Sequence, residues 1–498
     1  MAETLLSIRL CAALAALLCF AAPAAAQSFD RDAWLHDYTA LKQALEKHYS
    51  NLAWFASPES GVDLPALDRR TLAALKDARS DEDGRSAILA FVRGFHDGHF
   101  SQLPAVAPPL TAKPARPADF VYSRQDPAGG CAALGFAPDG DASFSTRFEN
   151  LPGFHLLADG VANPFRAGIL TAGDPPARLA ILRIPSFEES SNPSVCVEAW
   201  SRPEFWSADG KLIRGKLRQA AERGWYEAMA ALLRKFKAEG AAAVLIDIGN
   251  NSGGDDSGDI AARLFTSLPL RSAPLWMSLD QGASSKYFDE QLEALQGALK
   301  IDPANADARQ ALAAFNAGKD KLAQPDCPMG WVWRERRPWN GGTCRRLIQA
   351  GSAGGPLPYL APNPAADSRV AEALHWPAQV ASLWGAWTGP LYVLTNNRTY
   401  SSAEMFAAVF QNNHAAKIVG VATGGDGCGF MSDPDPVVLP TSGLRFRLPN
   451  CVRLRADGTD EVAGVQPDIP IVPAQGESAR VHAIRIFDAL SADWKRAK

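Results

Sequence analysis

Ala242-Ala243-Val244-Leu245-Ile246-Asp247-Ile248-Gly249-Asn250-Asn251-Ser252-Gly253-Gly254 decides the fold. A short apolar run rich in branched residues and closed by a turn signal reads as a strand buried on both faces. The glycines after it let backbone amides approach a ligand closely, because no Cβ stands in the way. Upstream, the pattern predicts a strand over Leu179 to Ile184 and a long helix over Lys211 to Lys237. Downstream, Ser257 to Phe265 reads as another helix. Strand, helix, strand, tight turn and helix in that order predict βαβ units on a buried sheet, an α/β core.

The pattern resumes at Leu391-Tyr392-Val393-Leu394, and Asn396-Asn397-Arg398-Thr399-Tyr400-Ser401-Ser402-Ala403-Glu404 then leads into an apolar helix, Met405 to Phe410. A serine at a strand-to-helix turn exposes its hydroxyl beside the unpaired amides of a helix start, and those amides can hold a developing oxyanion. Serine three residues before glutamate is also a capping box, and by itself the segment reads more simply as a helix cap. Between the two strand-and-turn units, residues 284–323 are charged, Ala-rich and helical in period, and a Trp-, Pro- and Gly-rich stretch follows to Gly355. Residues 284–355 are therefore expected to be an insertion.

At the N-terminal side, Trp34, Tyr38, Leu41, Leu45 and Tyr49 recur at helical spacing, and Leu72, Leu75 and Ile88 to Val92 continue it. From Pro104 to Pro176 the chain is rich in Pro and Gly and reads as β-rich or irregular; Ser478 to Arg496 reads as a closing helix. The expected division is a signal peptide over 1–26, a helical domain over 27–103, a β-rich or irregular linker domain over 104–176, a core over 177–476 and a C-terminal helix over 477–498.

With 498 residues, 47% of them hydrophobic, the chain exceeds a single compact core. A net charge of −4 with no long basic run argues against a nucleic-acid partner or a polybasic membrane anchor. Arg9, the apolar run from Leu10 to Ala22 and Ala24-Ala25-Ala26 read as a signal peptide cleaved before Gln27. The run is short for a membrane span, so an exported protein, periplasmic or secreted and without stable membrane insertion after cleavage, is expected. Six cysteines then remain: Cys131, Cys196, Cys327, Cys344, Cys428 and Cys451. An even set in an oxidising compartment favours disulfides, with pairing in sequence order the simplest choice; the spacing matches no zinc motif. No cofactor and no metal is expected.

A third segment, Asp97-Gly98-His99-Phe100, places a histidine after a turn, a residue more often structural than catalytic when alone. Together the three segments resemble the C-terminal processing, or tail-specific, peptidases. That family's pattern is Asp-Leu-Arg-x-Asn-x-Gly-Gly after a strand, then Thr-Ala-Ser-Ala-x-Glu, then Gly-x-x-Thr-x-Gly-Lys-Gly. Here Asp247 to Gly254 carry the first, with Gly249 where arginine is usual, and Thr399 to Glu404 carry the second. The serine three before the glutamate is the family's nucleophile, which selects Ser401 over Ser402. The resemblance implies a crotonase-like ββα core with an N-terminal helical domain. The family's PDZ module would be degenerate or absent, since only Cys131-Ala132-Ala133-Leu134-Gly135-Phe136 faintly echoes a carboxylate loop.

The third motif falls on Gly420 to Gly427, and Asp426 occupies the position of the family's general-base lysine. A carboxylate is too weak a base to replace that amine. A tricorn-like branch of the family uses a histidine from an Asp-Gly-His segment and a glutamate before Gly-Val-x-Pro-Asp-Ile; His99 and Glu461 match those positions. The resemblance thus implies Ser401 as nucleophile, His99 as general base and Glu461 as orienter, with Asp460 and His96 as weaker competitors. The oxyanion would lie on the amides of Ser402 and of Gly253 or Gly254, and the substrate would be a peptide or protein. A non-catalytic ligand-binding protein on the same fold and an esterase with the same triad remain the alternatives.

Overall fold

The structure, a computed structural model, describes residues 29–105, 120–138, 141–323, 327–339, 344–363 and 365–496. The expected signal segment 1–26 lies outside the described residues, as do 106–119 and 139–140 of the interval 104–176.

Helices α1 (Arg31–His48), α2 (Leu52–Phe55), α3 (Leu64–Asp77) and α4 (Asp81–Arg93) come first, followed by strand β1 (Ser101–Leu103). Asp30, Asp63 and Ser80 cap α1, α3 and α4 by accepting from first-turn amides. The apolar stripe of α1 buries Tyr38, Leu41 and Leu45 against Ile88 and Phe91 of α4. The same core takes in Trp331, Trp333, Leu444 and Phe446, so later parts of the chain close over the helices.

Between α4 and the core, α5 (Pro127–Ala133) precedes β2 (Phe154–Asp159) and β3 (Arg166–Ala172). The echo at Cys131 to Phe136 is the end of this helix and its turn, and Cys131 is bonded to Cys196. The core proper runs β4 (Ala177–Arg183), α6 (Pro193–Trp200), α7 (Arg214–Ala238), β5 (Ala243–Asp247) and α8 (Ser257–Ala262). It continues with β6 (Pro274–Ser278), α9 (Ala283–Ile301), α10 (Ala306–Leu322), β7 (Leu347–Ser352) and α11 (Ser368–Leu374). Then come β8 (Leu391–Thr395), α12 (Ser402–Asn412), β9 (Lys417–Gly420), β10 (Val437–Val438), β11 (Arg445–Arg447), β12 (Cys451–Arg453), β13 (Ile469–Pro470) and α13 (Ala479–Arg496).

Among the described residues the main sheet has seven strands, in the order β13-β9-β8-β5-β4-β3-β2. Pairing is parallel from β13 to β4 and antiparallel from β4 to β2. Residues expected to form a linker therefore supply two core strands. Both faces are covered, as the unbroken apolar runs predicted: Val244, Ile246 and Val393 pack toward α7 and α12, whereas Ala243, Leu245 and Leu394 pack toward α13. This is the α/β core with an N-terminal helical region that the resemblance implied.

A second sheet, β12-β6-β7, packs with α9, α10 and α11 into a separate cluster. The six cysteines pair in sequence order, Cys131–Cys196, Cys327–Cys344 and Cys428–Cys451, with Cα separations of 6.0, 6.0 and 5.6 Å. No helix among the described residues is long and apolar enough to cross a membrane.

Candidate active site

The strand ends of β5 and β8 lie side by side, so the two turns that follow meet at the same edge of the sheet. They are joined through side chains: Asn250 N–H donates to Asn396 Oδ1 at 3.0 Å, and Thr399 Oγ1 donates to the Ile248 carbonyl at 3.1 Å. Tyr400 N–H donates to the Asn251 carbonyl at 2.9 Å. Ser401 then takes φ 55° and ψ −120°, a conformation that costs a non-glycine residue on the order of 1–3 kcal/mol. The turn holds the hydroxyl out of the helix that starts at Ser402. Ser402 points the other way, its buried hydroxyl close against Gly258 and without a hydrogen-bond partner among the described residues. Of the two hydroxyls, the Ser401 one lies on the side of a histidine, His99.

His99 Nε2 lies 3.2 Å from Ser401 Oγ, and Nδ1 lies 2.9 Å from the Asp426 carbonyl. A carbonyl only accepts, so the proton sits on Nδ1 and Nε2 is free to accept from the serine hydroxyl. Asp97 fixes the backbone of this segment by accepting from His99 N–H at 2.9 Å and from the Tyr49 hydroxyl at 2.6 Å. Burial pushes the Asp97 carboxyl up to about 6. Gly429 passes directly over the imidazole: a Cβ there would lie 2.8 Å from the ring. His96 is exposed, and the histidine hydrogen-bonded to Ser401 is His99.

Asp426 sits where the family keeps its lysine and serves the histidine segment instead. Besides its carbonyl on His99, its Oδ1 accepts from Gly98 N–H at 2.8 Å. The loop carrying Asp426 is tied to the serine turn by Glu404. That buried carboxylate accepts from the amides of Ser401, Gly425, Asp426 and Gly427 at 3.0, 2.7, 2.8 and 3.1 Å and from the Thr423 hydroxyl at 2.6 Å. Burial pushes the Glu404 carboxyl up to about 7, while the Thr423 hydroxyl and the loop amides pull it back.

Two sequence expectations need correction. Glu461 makes no hydrogen bond to His99; its Oε1 instead takes Arg453 Nε at 2.9 Å and Nη2 at 2.6 Å. The buried guanidinium claims the carboxylate, and the imidazole is oriented by a neutral carbonyl. Gly253 is not a free oxyanion donor either, because its N–H donates to Asn251 Oδ1 at 2.8 Å. Asn bonding the amide two residues ahead is a local turn pattern that the Asn-Ser-Gly order could have signalled. Among the described residues, the amides of Gly254 and Ser402 have no hydrogen-bond acceptor. Asp460 is buried behind the site, accepting from Val462 N–H at 3.0 Å, and does not touch His99.

A cavity of about 460 Å³ opens over the pair, lined by His99, Ser401, Gly254, Cys428, Phe430 and Arg447 among others. Phe430 sets its ring edge-on to His99 at 5.5 Å, and the Arg447 guanidinium stacks 3.5 Å above the centre of that ring. Among the described residues no group of three or more His, Cys, Asp or Glu side chains is arranged to hold a metal ion.

The fold and its sheet-edge site define the class: the chain is a serine-type peptidase. The profile of Peptidase family S41 matches residues 178–471, and the chain belongs to that family, the C-terminal processing peptidases. Among solved structures, mature CPAF complexed with lactacystin is similar at 16% identity and TM-score 0.51, over 94% of this chain and 99% of that one. That likeness supports the shared fold. The photosystem II D1 C-terminal processing protease aligns over 91% of this chain and 97% of its own at 13% identity and TM-score 0.30. The tricorn protease aligns over 93% of this chain and 37% of its own at 11% identity and TM-score 0.32. No curated protein matches the sequence.

Proposed function

We propose that the chain is an exported peptidase that cleaves peptide bonds through an acyl-enzyme on Ser401, with His99 as general base. The single observation that carries this reading is the His99 Nε2 to Ser401 Oγ distance of 3.2 Å, combined with the Nδ1 proton fixed on the Asp426 carbonyl. As Ser401 Oγ attacks the substrate carbonyl, its proton passes to Nε2. The tetrahedral oxyanion is held by the free amides of Ser402 and Gly254. Collapse breaks the C–N bond, and the imidazolium gives its proton to the leaving amine. Water then attacks the acyl ester, losing a proton to Nε2, and the ester oxygen leaves as the Ser401 hydroxyl.

Export is supported by the three cysteine pairs and by the signal-like residues 1–26. Intact-mass analysis of the exported protein should give a chain starting at Gln27 with six fewer hydrogens than the reduced form.

A fluorophosphonate probe combined with digestion of a peptide library tests the chemistry. The wild type should be labelled on Ser401 and should cut peptides; Ser401→Ala and His99→Ala should lose nearly all turnover, by several orders of magnitude. Labelling at another serine, or full turnover in His99→Ala, would overturn the assignment. Cleavage of esters but not of any peptide would make the chain an esterase.

A further inference from the structure

Arg453, at the end of β12, is buried beneath the site to within 3% of full enclosure, and Glu461 is wholly enclosed beside it. The guanidinium reaches three oxygens of different segments. Nη2 donates to Glu461 Oε1 at 2.6 Å and to the Gly427 carbonyl at 2.8 Å, and it approaches the Ser401 carbonyl at 3.5 Å. Gly427 adjoins Asp426, whose carbonyl orients His99. One buried cation thus touches the main chain of the nucleophile and of the loop that aims the base.

We infer that Arg453 and Glu461 form a positioning pair: Glu461 acts on the site through Arg453, which sets the carbonyls of Gly427 and Ser401, and not by contact with the imidazole. This rests on Ser401 and His99 being the reacting pair. The physical reason is that a guanidinium cannot stay buried unpaired, so Glu461 is needed to keep Arg453 beneath the loop. Among the described residues Glu461 Oε2 has no hydrogen-bond partner, and the carboxylate's two bonds both go to Arg453. Because the two charges cancel locally, the pair should leave the field at His99 nearly unchanged. The titratable and charged groups around His99 are Asp97 on its own segment, with the Asp460 carboxyl behind Asp97, Asp426 on the loop beneath, and Arg447 with its partner Asp433 across Phe430.

The test is a double-mutant cycle on the full chain with Glu461→Gln, Arg453→Met and both together, reading kcat, KM and the acid limb of kcat/KM against pH. Each single change should lower kcat by about 100-fold, on the order expected when a group that positions the reacting atoms is lost. The double change should cost no more than the worse single one, since the pair acts as a unit. KM should change little, and the double variant should keep the wild-type midpoint of the acid limb. Arg453→Lys keeps the charge but not the fork, and should recover part of the loss; it also carries the test if Arg453→Met does not fold. If Arg453→Met and Arg453→Lys keep wild-type kcat while Glu461→Gln moves the midpoint down by about one unit, Glu461 acts on His99 directly and the inference is wrong. Should Ser401→Ala or His99→Ala retain wild-type turnover in the same assay, the reacting pair itself is misassigned, a distinct failure.

Discussion

The main-chain carbonyl of Asp426 lies 2.9 Å from Nδ1 of His99. This contact gives a physical account of how the site can do without the lysine found at the Asp426 position in the resemblance. The Asp426 carbonyl fixes the tautomer of His99, and its carboxylate holds the amide of Gly98. With His99 as general base, the loop acts by positioning and not by proton transfer.

Removing the Asp426 side chain should therefore slow the enzyme without abolishing it. Asp426→Ala deletes the bond to Gly98 N–H and leaves the carbonyl in place. A hydrogen bond of this kind contributes about 1 kcal/mol, so kcat should fall about fivefold with KM little changed. Asp426→Asn retains an acceptor and should stay close to wild type. Steady-state kinetics on both variants check this, and complete loss of activity in folded Asp426→Ala would show that the carboxylate takes part in the chemistry.

How much of this was legible depends on distance along the chain. The β5 strand with its Gly-rich turn and the β8 strand with Ser401 are local patterns, and the structure follows them within a few residues. The apolar face of α1 was equally plain from its spacing, and the extent of α7 from the long helical run. Glu404 was readable as a capping box, yet its bonds to the Gly425, Asp426 and Gly427 amides span 21 to 23 residues and have no local signature. Arg453 was missed for the same reason. Nothing local in Cys451-Val452-Arg453 marks the arginine for burial, and only tertiary packing encloses it against Glu461. That same packing turned the expected orienter into an ion-pair partner.

Stability should decline as pH rises through the neutral range, in part through Asp460. Burial pushes its carboxyl up to about 8, and its Oδ2 has no hydrogen-bond partner among the described residues. The unfolded chain ionises near the ordinary carboxyl value of about 3.9. Between these values the unfolded state binds fewer protons than the native one, so stability falls with pH and levels off above the folded value. Asp460→Asn removes this term. Its unfolding free energy, measured with urea, should match the wild type's pH trend below about pH 4 and gain on it steadily toward the value of about 8. A constant difference across the range would show that Asp460 titrates normally.

The disulfide Cys428–Cys451 links the histidine-aiming loop to β12 two residues before Arg453. It closes a separation of 23 residues, for which chain entropy predicts about 3 kcal/mol of stabilisation. The paired change Cys428→Ser and Cys451→Ser should lower unfolding stability by roughly that amount. Because Cys428 lines the cavity and follows Gly427, kcat should fall more than the small unfolded fraction explains. Unchanged kcat in the folded double variant would show that the ion pair alone fixes the loop.

The oxyanion assignment separates Gly254 from Gly253. Gly254 has φ 150°, and a Cβ there would lie 2.1 Å from the Phe187 carbonyl oxygen, so Gly254→Ala must push the turn away from the main chain at Phe187. At Gly253, φ is 104° and a Cβ would meet Ser401 Cβ at 2.6 Å, which would move the nucleophile itself. Either alanine harms the site, so substitution of the glycines cannot tell the donors apart. Asn251 can. It holds the Gly253 amide through Oδ1 and reaches the Ile184 carbonyl through Nδ2 at 3.0 Å, and so aims the turn without facing the cavity. If Gly254 and Ser402 are the donors, Asn251→Asp keeps the acceptor for Gly253 N–H but loses the donor to Ile184. It should cost less than the loss of an oxyanion donor, which runs to about 100- to 1,000-fold in kcat. Asn251→Ala frees the Gly253 amide. A rise in kcat for that variant would mean that Gly253 can serve as a donor once released; a fall, with unaltered probe labelling of Ser401, is the result expected when Gly254 already fills the role.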